Sequence, residues 1–199
     1  INPDIIVLRS DKPLEKPIFQ KIALFCNVKP DCVIENITLT NLYEAPLMLE
    51  KSNFSTVVCR KLRIEAEEAD LEEWKQMVKR IGNRSEVVHI GLVGKYVKLH
   101  DAYLSVAEAM THAGYELNSF VKIHWIDSED ISKDNVKQIF RDLDGIIVPG
   151  GFGNRGVEGM ITAAEYARRS KVPYFGICLG MQIAVIEFAR NVSEITDAD

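Results

Sequence analysis

The chain has 199 residues, 47% of them apolar and 27% charged, with a net charge of −5. That length holds one large domain or a small domain with part of another, and no apolar run approaches the length that crosses a bilayer. The acidic balance argues against a broad nucleic-acid surface and for small ligands, while four cysteines (Cys26, Cys32, Cys59, Cys178) without CxxC spacing point to a reducing, cytoplasmic setting.

In chain order, DIIVL (4–8) predicts a strand, PIFQKIALFCN (17–27) a helix with Ile18, Ile22 and Phe25 on one face, and DCVIENI (31–37) a second strand. NLYEAPLMLEKS (41–52) reads as a helix interrupted at Pro46, and STVVCRKLRI (55–64) as another strand. This is α/β material, read as the tail of a domain begun upstream, because Ile1-Asn2-Pro3-Asp4 leads straight into a strand. The run 65–86 places Leu71, Trp74, Met77, Val78 and Ile81 at helical spacing, with acids early, bases late and Gly82 as a stop. It predicts a helix followed by a polar linker.

A regular alternation follows. VVHIGLVG (87–94), FVKIHWID (120–127), DGIIVPG (144–150) and VPYFGI (172–177) predict buried strands. The helices between and after them are 101–114, capped by Asp101 and stopped by Gly114, then 131–143, 157–170 and a last one from Leu179. Successive βα units imply a doubly wound parallel sheet with helices on both faces, and such sheets place their chemistry at the carboxyl ends of the strands. The boundaries drawn are 1–60, 61–86 and 87–199, and the chain reads as a segment of a longer protein.

Cys178 stands at such a strand end, directly before a helix. Gly176 and Gly180 flank it at the spacing of a nucleophile turn, whose backbone is too tight for side chains. Helix N-terminal amides favour a thiolate, and the glycine-rich loop PGGFGNRG (149–156) after the neighbouring strand leaves backbone N–H groups free for an oxyanion. A buried thiol is the ordinary fate of a cysteine, and it stands for Cys26, Cys32 and Cys59. The flanking glycines reverse it for Cys178. The same loop also matches G-x-G-x-x-G at Gly151 to Gly156, which keeps a dinucleotide-binding oxidoreductase open as an alternative. Against it, Gly176-Ile177-Cys178 stands where a ribose-binding acid belongs, and the loop follows the third strand of its domain instead of the first. Gly94-Lys95-Tyr96 lacks the spacing of a P-loop.

GICLGMQ, with PGGFG upstream of it, resembles the class I glutamine amidotransferases. The blocks RSDKPL, KIALFCNV, LYEAPLML, VGKYVKLHDAYLSVAEA and VPGGFGNRGVEGMITAAEYAR narrow the resemblance, over nearly the whole chain, to the cytidine triphosphate synthase (UTP:ammonia ligase) family. The resemblance implies the end of an amidoligase domain, a connector, and the first part of a glutaminase domain. It implies glutamine hydrolysis at Cys178, with backbone N–H groups of Gly150 or Gly151 and of Leu179 on the oxyanion. Gly151 and Leu179, Gly180, Met181 and Gln182 would surround the glutamine. It also implies ATP-dependent amination of UTP, with Lys21 on the pyrimidine nucleotide, Ile37, Thr38 and Leu39 near the ATP base, and Phe152 near a GTP-responsive region. Magnesium ligands would lie upstream of Ile1, and the family assembles as tetramers. The family's general base, His-x-Glu, lies downstream of the cysteine, whereas His89, His100, His112 and His124 all precede Cys178. The segment alone is therefore expected to be inactive, and a non-catalytic regulatory relative is the remaining alternative.

Overall fold

The first strand, β1 (Ile6–Ser10), pairs in parallel with β2 (Val33–Ile37), from Ile6 opposite Val33 to Ser10 opposite Ile37. A parallel pair needs a crossover, supplied here by α1 (Lys16–Phe25), whose Pro17 occupies the first turn where its missing N–H costs nothing. The computed structural model describes residues 2–199 and divides into two compact units after Gly82.

Three further helices complete the first unit. In α2 (Ala45–Lys51) Pro46 sits in the first turn, so it starts the helix where the sequence suggested an interruption. Residues 55–64, expected as a strand, form α3 (Phe54–Leu62) instead. Thr56, Val57 and Val58 favour a strand locally, but Phe54 and Val57 fall on one helical face and pack on Cys32 and Ile34, and that burial prevails. The acidic run from Glu65 stays outside the helix, which begins only at α4 (Glu72–Gly82), where the Asp70 carboxylate accepts from the Glu72 amide at 3.0 Å. The Trp74 indole donates to the Tyr43 carbonyl at 2.7 Å, which docks α4 within this first unit.

The second unit is a four-stranded parallel sheet of β3 (Glu86–Gly94), β4 (Ser119–Asp127), β5 (Gly145–Val148) and β6 (Tyr174–Gly176), in the order β4-β3-β5-β6. The chain winds outward from β3 in one direction and from β5 in the other. The crevice at the carboxyl ends of β3 and β5 is therefore the topological switch point. Side chains alternate along the strands. Leu92 and Ile147 face α5 (Leu104–Glu116), while Val93, Ile146 and Val148 face a larger core shared with α6 (Val136–Ile139), α7 (Val157–Ser170) and α8 (Leu179–Asn191). Helices on both faces leave β5 and the second half of β3 apolar. On the larger face Glu187 of α8, 2% exposed, accepts three hydrogen bonds from Arg168 of α7 at 2.7–3.1 Å.

Two helices differ from expectation. α5 starts after a single 3-10 turn (His100–Tyr103), so Asp101 does not cap it, and it runs past Gly114. That glycine is there for space: a Cβ on it would lie 2.5 Å from the Ser119 carbonyl oxygen, where α5 presses on the start of β4. Of the span 131–143 only one α-helical turn forms. The Asn135 side chain accepts from the Ser132 amide and donates to the Asp130 carbonyl, which stabilises a local turn in place of a longer helix.

His89 of β3 and His124 of β4 face each other across the sheet, with Nδ1 and Nε2 2.8 Å apart. Burial first, then the nearby His89 and Lys122, hold His124 below its ordinary pKa of 6.5. An unfolded chain thus takes up this proton more readily than the folded one. Stability from this site is present above about pH 6.5 and is lost as pH falls through the depressed folded value. The His124→Gln variant is expected to have a flatter melting temperature than the parent sequence between about pH 7.5 and 5, measured by thermal unfolding across that range.

Candidate active site

Cys178 lies between β6 and α8 with φ 53° and ψ −105°, the only cysteine among the described residues with positive φ. For a residue with a Cβ that backbone stores on the order of 1–3 kcal/mol, and it lifts the thiol into solvent. Packing around the turn imposes it. A Cβ on Gly176 would lie 2.3 Å from the Gly180 carbonyl carbon, and one on Gly180 would lie 2.0 Å from the Val148 oxygen. Neither position has room for a side chain, so the first turn of α8 lies directly on the ends of β5 and β6. The Gly180 amide donates to Ile177 and the amides of Met181 and Gln182 to the Cys178 carbonyl, at 2.9, 3.1 and 3.2 Å. The Leu179 amide, first in the helix, has no acceptor within it.

The glycine-rich loop leaves β5 and passes beside this turn. Gly150 is near enough that a Cβ on it would sit 3.7 Å from the Cys178 Cβ, and Gly151 adjoins the Leu179 side chain. The Gly150 and Gly151 N–H groups meet no backbone acceptor among the described residues. With the Leu179 amide, they are the donors that can face an oxygen bound at the thiol. Phe152 stands at the loop tip, 87% exposed. Gly151, Phe152, Leu179, Met181 and Gln182 share the lining of a cavity of about 580 Å³.

Lys95, at the carboxyl end of β3, holds this loop from behind. Its side chain is 3% exposed and its stem passes under Gly151. Its Nζ donates to the carbonyls of Phe152 and Gly153. Burial, then the nearby Arg155, depresses its pKa. Arg155 donates to the Lys95 carbonyl at 2.5 Å and pairs with Glu129 at 2.6 Å, while the Lys95 amide donates to the Tyr103 hydroxyl at 3.1 Å. In sequence, Gly94-Lys95-Tyr96 matches no functional motif beyond an incomplete P-loop. Its one legible signal was its place at a strand end beside the switch point. A buried ammonium bound to two loop carbonyls also runs against a dinucleotide cradle, which presents loop amides to a pyrophosphate.

Lys21 is exposed on α1, and Thr38, at the end of β2, donates to Asp11 at 2.6 Å; both belong to the first unit with Ile37 and Leu39. The histidines are engaged elsewhere: His89 with His124 on β3 and β4, His100 stacked on Trp125 at 4.1 Å, and His112 beside Glu108. β5 stands between β3 and β6, the strand that leads into Cys178. Among the described residues no group of three or more His, Cys, Asp or Glu side chains is placed to hold a metal ion.

Residues 98–198 match the family described as glutamine amidotransferase class-I, and residues 1–64 the family described as CTP synthase N-terminus. The chain is 55% identical over 192 residues to the CTP synthase of Clostridium acetobutylicum, covering 96% of this chain and 36% of that protein. It is 54% identical over 199 residues to that of Carboxydothermus hydrogenoformans, covering 100% of this chain and 37% of that one. It thus spans little more than a third of the length of these curated relatives. Among solved structures, the glutaminase domain of Trypanosoma brucei CTPS with bound acivicin is similar at 45% identity and a TM-score of 0.52, over 55% of this chain and 43% of that one.

The Lys95→Met variant keeps the stem and removes the two bonds to the loop carbonyls. Losing charged hydrogen bonds to a loop should accelerate amide exchange there about ten- to hundred-fold, with exchange in the sheet unchanged, read by hydrogen–deuterium exchange.

Proposed function

The chain belongs to the class I glutamine amidotransferase family, and we propose that it is a segment of a glutamine-hydrolysing CTP synthase. The observation that carries the reading is the strained Cys178 turn set against the glycine loop, in a chain whose first 64 residues match the CTP synthase N-terminus.

In the proposed reaction the Cys178 thiolate adds to the side-chain carboxamide carbon of glutamine. The carbonyl electrons move onto oxygen, which the amides of Leu179 and of Gly150 or Gly151 receive. The tetrahedral adduct collapses, the C–N bond breaks, and the nitrogen leaves as ammonia after taking a proton. Water then adds to the glutamyl thioester, the C–S bond breaks, and glutamate and the thiol are released. Gly180 keeps the turn tight, while Met181 and Gln182, exposed on the first turn of α8, border the space open to the amino acid. The general base is assigned to a His-x-Glu outside this span, since the four histidines are engaged elsewhere.

The ammonia is used by an amidoligase in which ATP phosphorylates the UTP carbonyl oxygen and ammonia displaces the phosphate, giving CTP. In this reading residues 1–60 close the amidoligase domain, 61–86 connect, and 87–199 begin the glutaminase. Lys21 contacts the pyrimidine nucleotide, Ile37, Thr38 and Leu39 border the ATP base, and Phe152 lies where GTP acts as an effector. Magnesium would be held by residues outside this span. A homotetramer and a cytoplasmic setting complete the proposal; four free thiols and the absence, among the described residues, of a helix long and apolar enough to cross a membrane accord with it.

In the intact parent protein, Cys178→Ala should lower glutamine-dependent CTP formation by on the order of 10⁴-fold, as loss of a nucleophile does, while synthesis from added ammonia is retained. Both rates are followed by CTP absorbance. Loss of the two together would overturn the two-site reading.

A further inference from the structure

Tyr174 opens β6, four residues before Cys178. Its backbone pairs with Ile146 of β5 and its ring packs against the larger core, so the strand and the core fix the ring. Its hydroxyl leaves both. It donates to the carbonyl of Gly180, in the first turn of α8, at 2.7 Å. This side-chain bond ties the two ends of the turn, residues 174 and 180, on either side of the nucleophile. Burial, and then the Glu187 carboxylate, push the phenol pKa far above the ordinary tyrosine range, so it stays a donor at any working pH.

The first turn of α8 has few other anchors at this end. The Ile177 amide donates to the Val148 carbonyl at 2.9 Å, and Gly180 lies against that same carbonyl. Those contacts press the turn onto the sheet and set the Cys178 backbone at φ 53°. A fixed phenol holding the Gly180 oxygen reinforces them from the other side, because relaxing φ at Cys178 swings the peptide units that follow it. The Leu179 N–H lies two peptide units before the Gly180 carbonyl in the same first turn of α8, so a bond that steadies that carbonyl also restrains the turn that carries the oxyanion donor.

We propose that Tyr174 is a positioning residue for glutamine hydrolysis: its hydroxyl, through the Gly180 carbonyl, holds Cys178 in its strained backbone and the Leu179 amide toward the oxyanion. The inference rests on the assignment of Cys178 as the glutaminase nucleophile. The residue touches no substrate and acts only through the turn.

The test is Tyr174→Phe in the intact parent protein, which removes one oxygen and keeps the ring. Glutamine-dependent kcat should fall about five- to tenfold, the size of one lost hydrogen bond, with KM and ammonia-dependent synthesis unchanged. In the same samples, the rate of Cys178 alkylation by a glutamine-shaped chloroketone, divided by that by iodoacetamide, should fall by a similar factor. That ratio cancels any loss of folded protein. Tyr166→Phe, at a ring of the same core that meets Phe140 edge-on, should leave both readings unchanged. An unchanged kcat and alkylation ratio in Tyr174→Phe would overturn the proposal. So would equal falls in the glutamine and ammonia reactions with a constant ratio, since that is the mark of a purely structural tyrosine. If Cys178→Ala retains glutamine-dependent activity, the assignment of the nucleophile fails and not the brace alone.

Discussion

The site depends on one close approach of backbone to backbone: the first turn of α8 resting on the carboxyl ends of β5 and β6. Gly176 and Gly180 permit it, because a Cβ at either would overlap main-chain atoms. Once the turn is that tight, the single residue between an extended strand and a helix beginning at Leu179 must take a left-handed φ, and that residue is Cys178. The strain, on the order of 1–3 kcal/mol, is small beside the burial of Ile183, Ile146, Val148 and Met160 in the adjoining core. Core packing therefore maintains a backbone that local preference would abandon.

The rest of the second unit acts as a mount for this contact. Sheet order brings β3 and β5 side by side at the switch point, so the loop after β5 runs between Cys178 and Lys95. A lysine buried to 3% exposure is costly unless its charge is answered, and here loop carbonyls answer it. The same bonds that satisfy the ammonium orient the loop. On the far side of α8, Glu187 and Arg168 join α8 to α7 through a buried carboxylate with three hydrogen bonds. Losing Arg168 would leave the buried Glu187 carboxylate with Asn191 alone as a donor, which is how such a pair holds the two helices in one relative position.

Much of this was legible. The strands of the second unit follow from apolar, β-branched runs, and α7 and α8 from their periodicity. The tight turn at Cys178 was readable from two glycines around a cysteine at a strand end, and the family from GICLGMQ and PGGFG. The failures share a cause. Thr56-Val57-Val58 favour a strand over 55–64, yet the contact with Cys32 and Ile34 makes Phe54–Leu62 a helix. Gly114 was read as a helix stop, yet it is the point where α5 meets β4. In each case a local preference worth a fraction of a kcal/mol met a long-range contact worth more.

The sequence by itself determined the parts on offer: a cysteine between two glycines at a strand end, a loop rich in glycine, and strands that alternate with helices. Those properties reside in residue type and short spacing. Only the tertiary structure decided how the parts are held. Lys95 stands 58 residues before Gly153, and nothing in its neighbours along the chain shows that its ammonium meets that carbonyl. Even Tyr174, six residues from Gly180, becomes a brace only because the turn between them folds back on itself. Directions of side chains across a sheet depend on which strands become neighbours, and that order is set by burial summed over the whole unit.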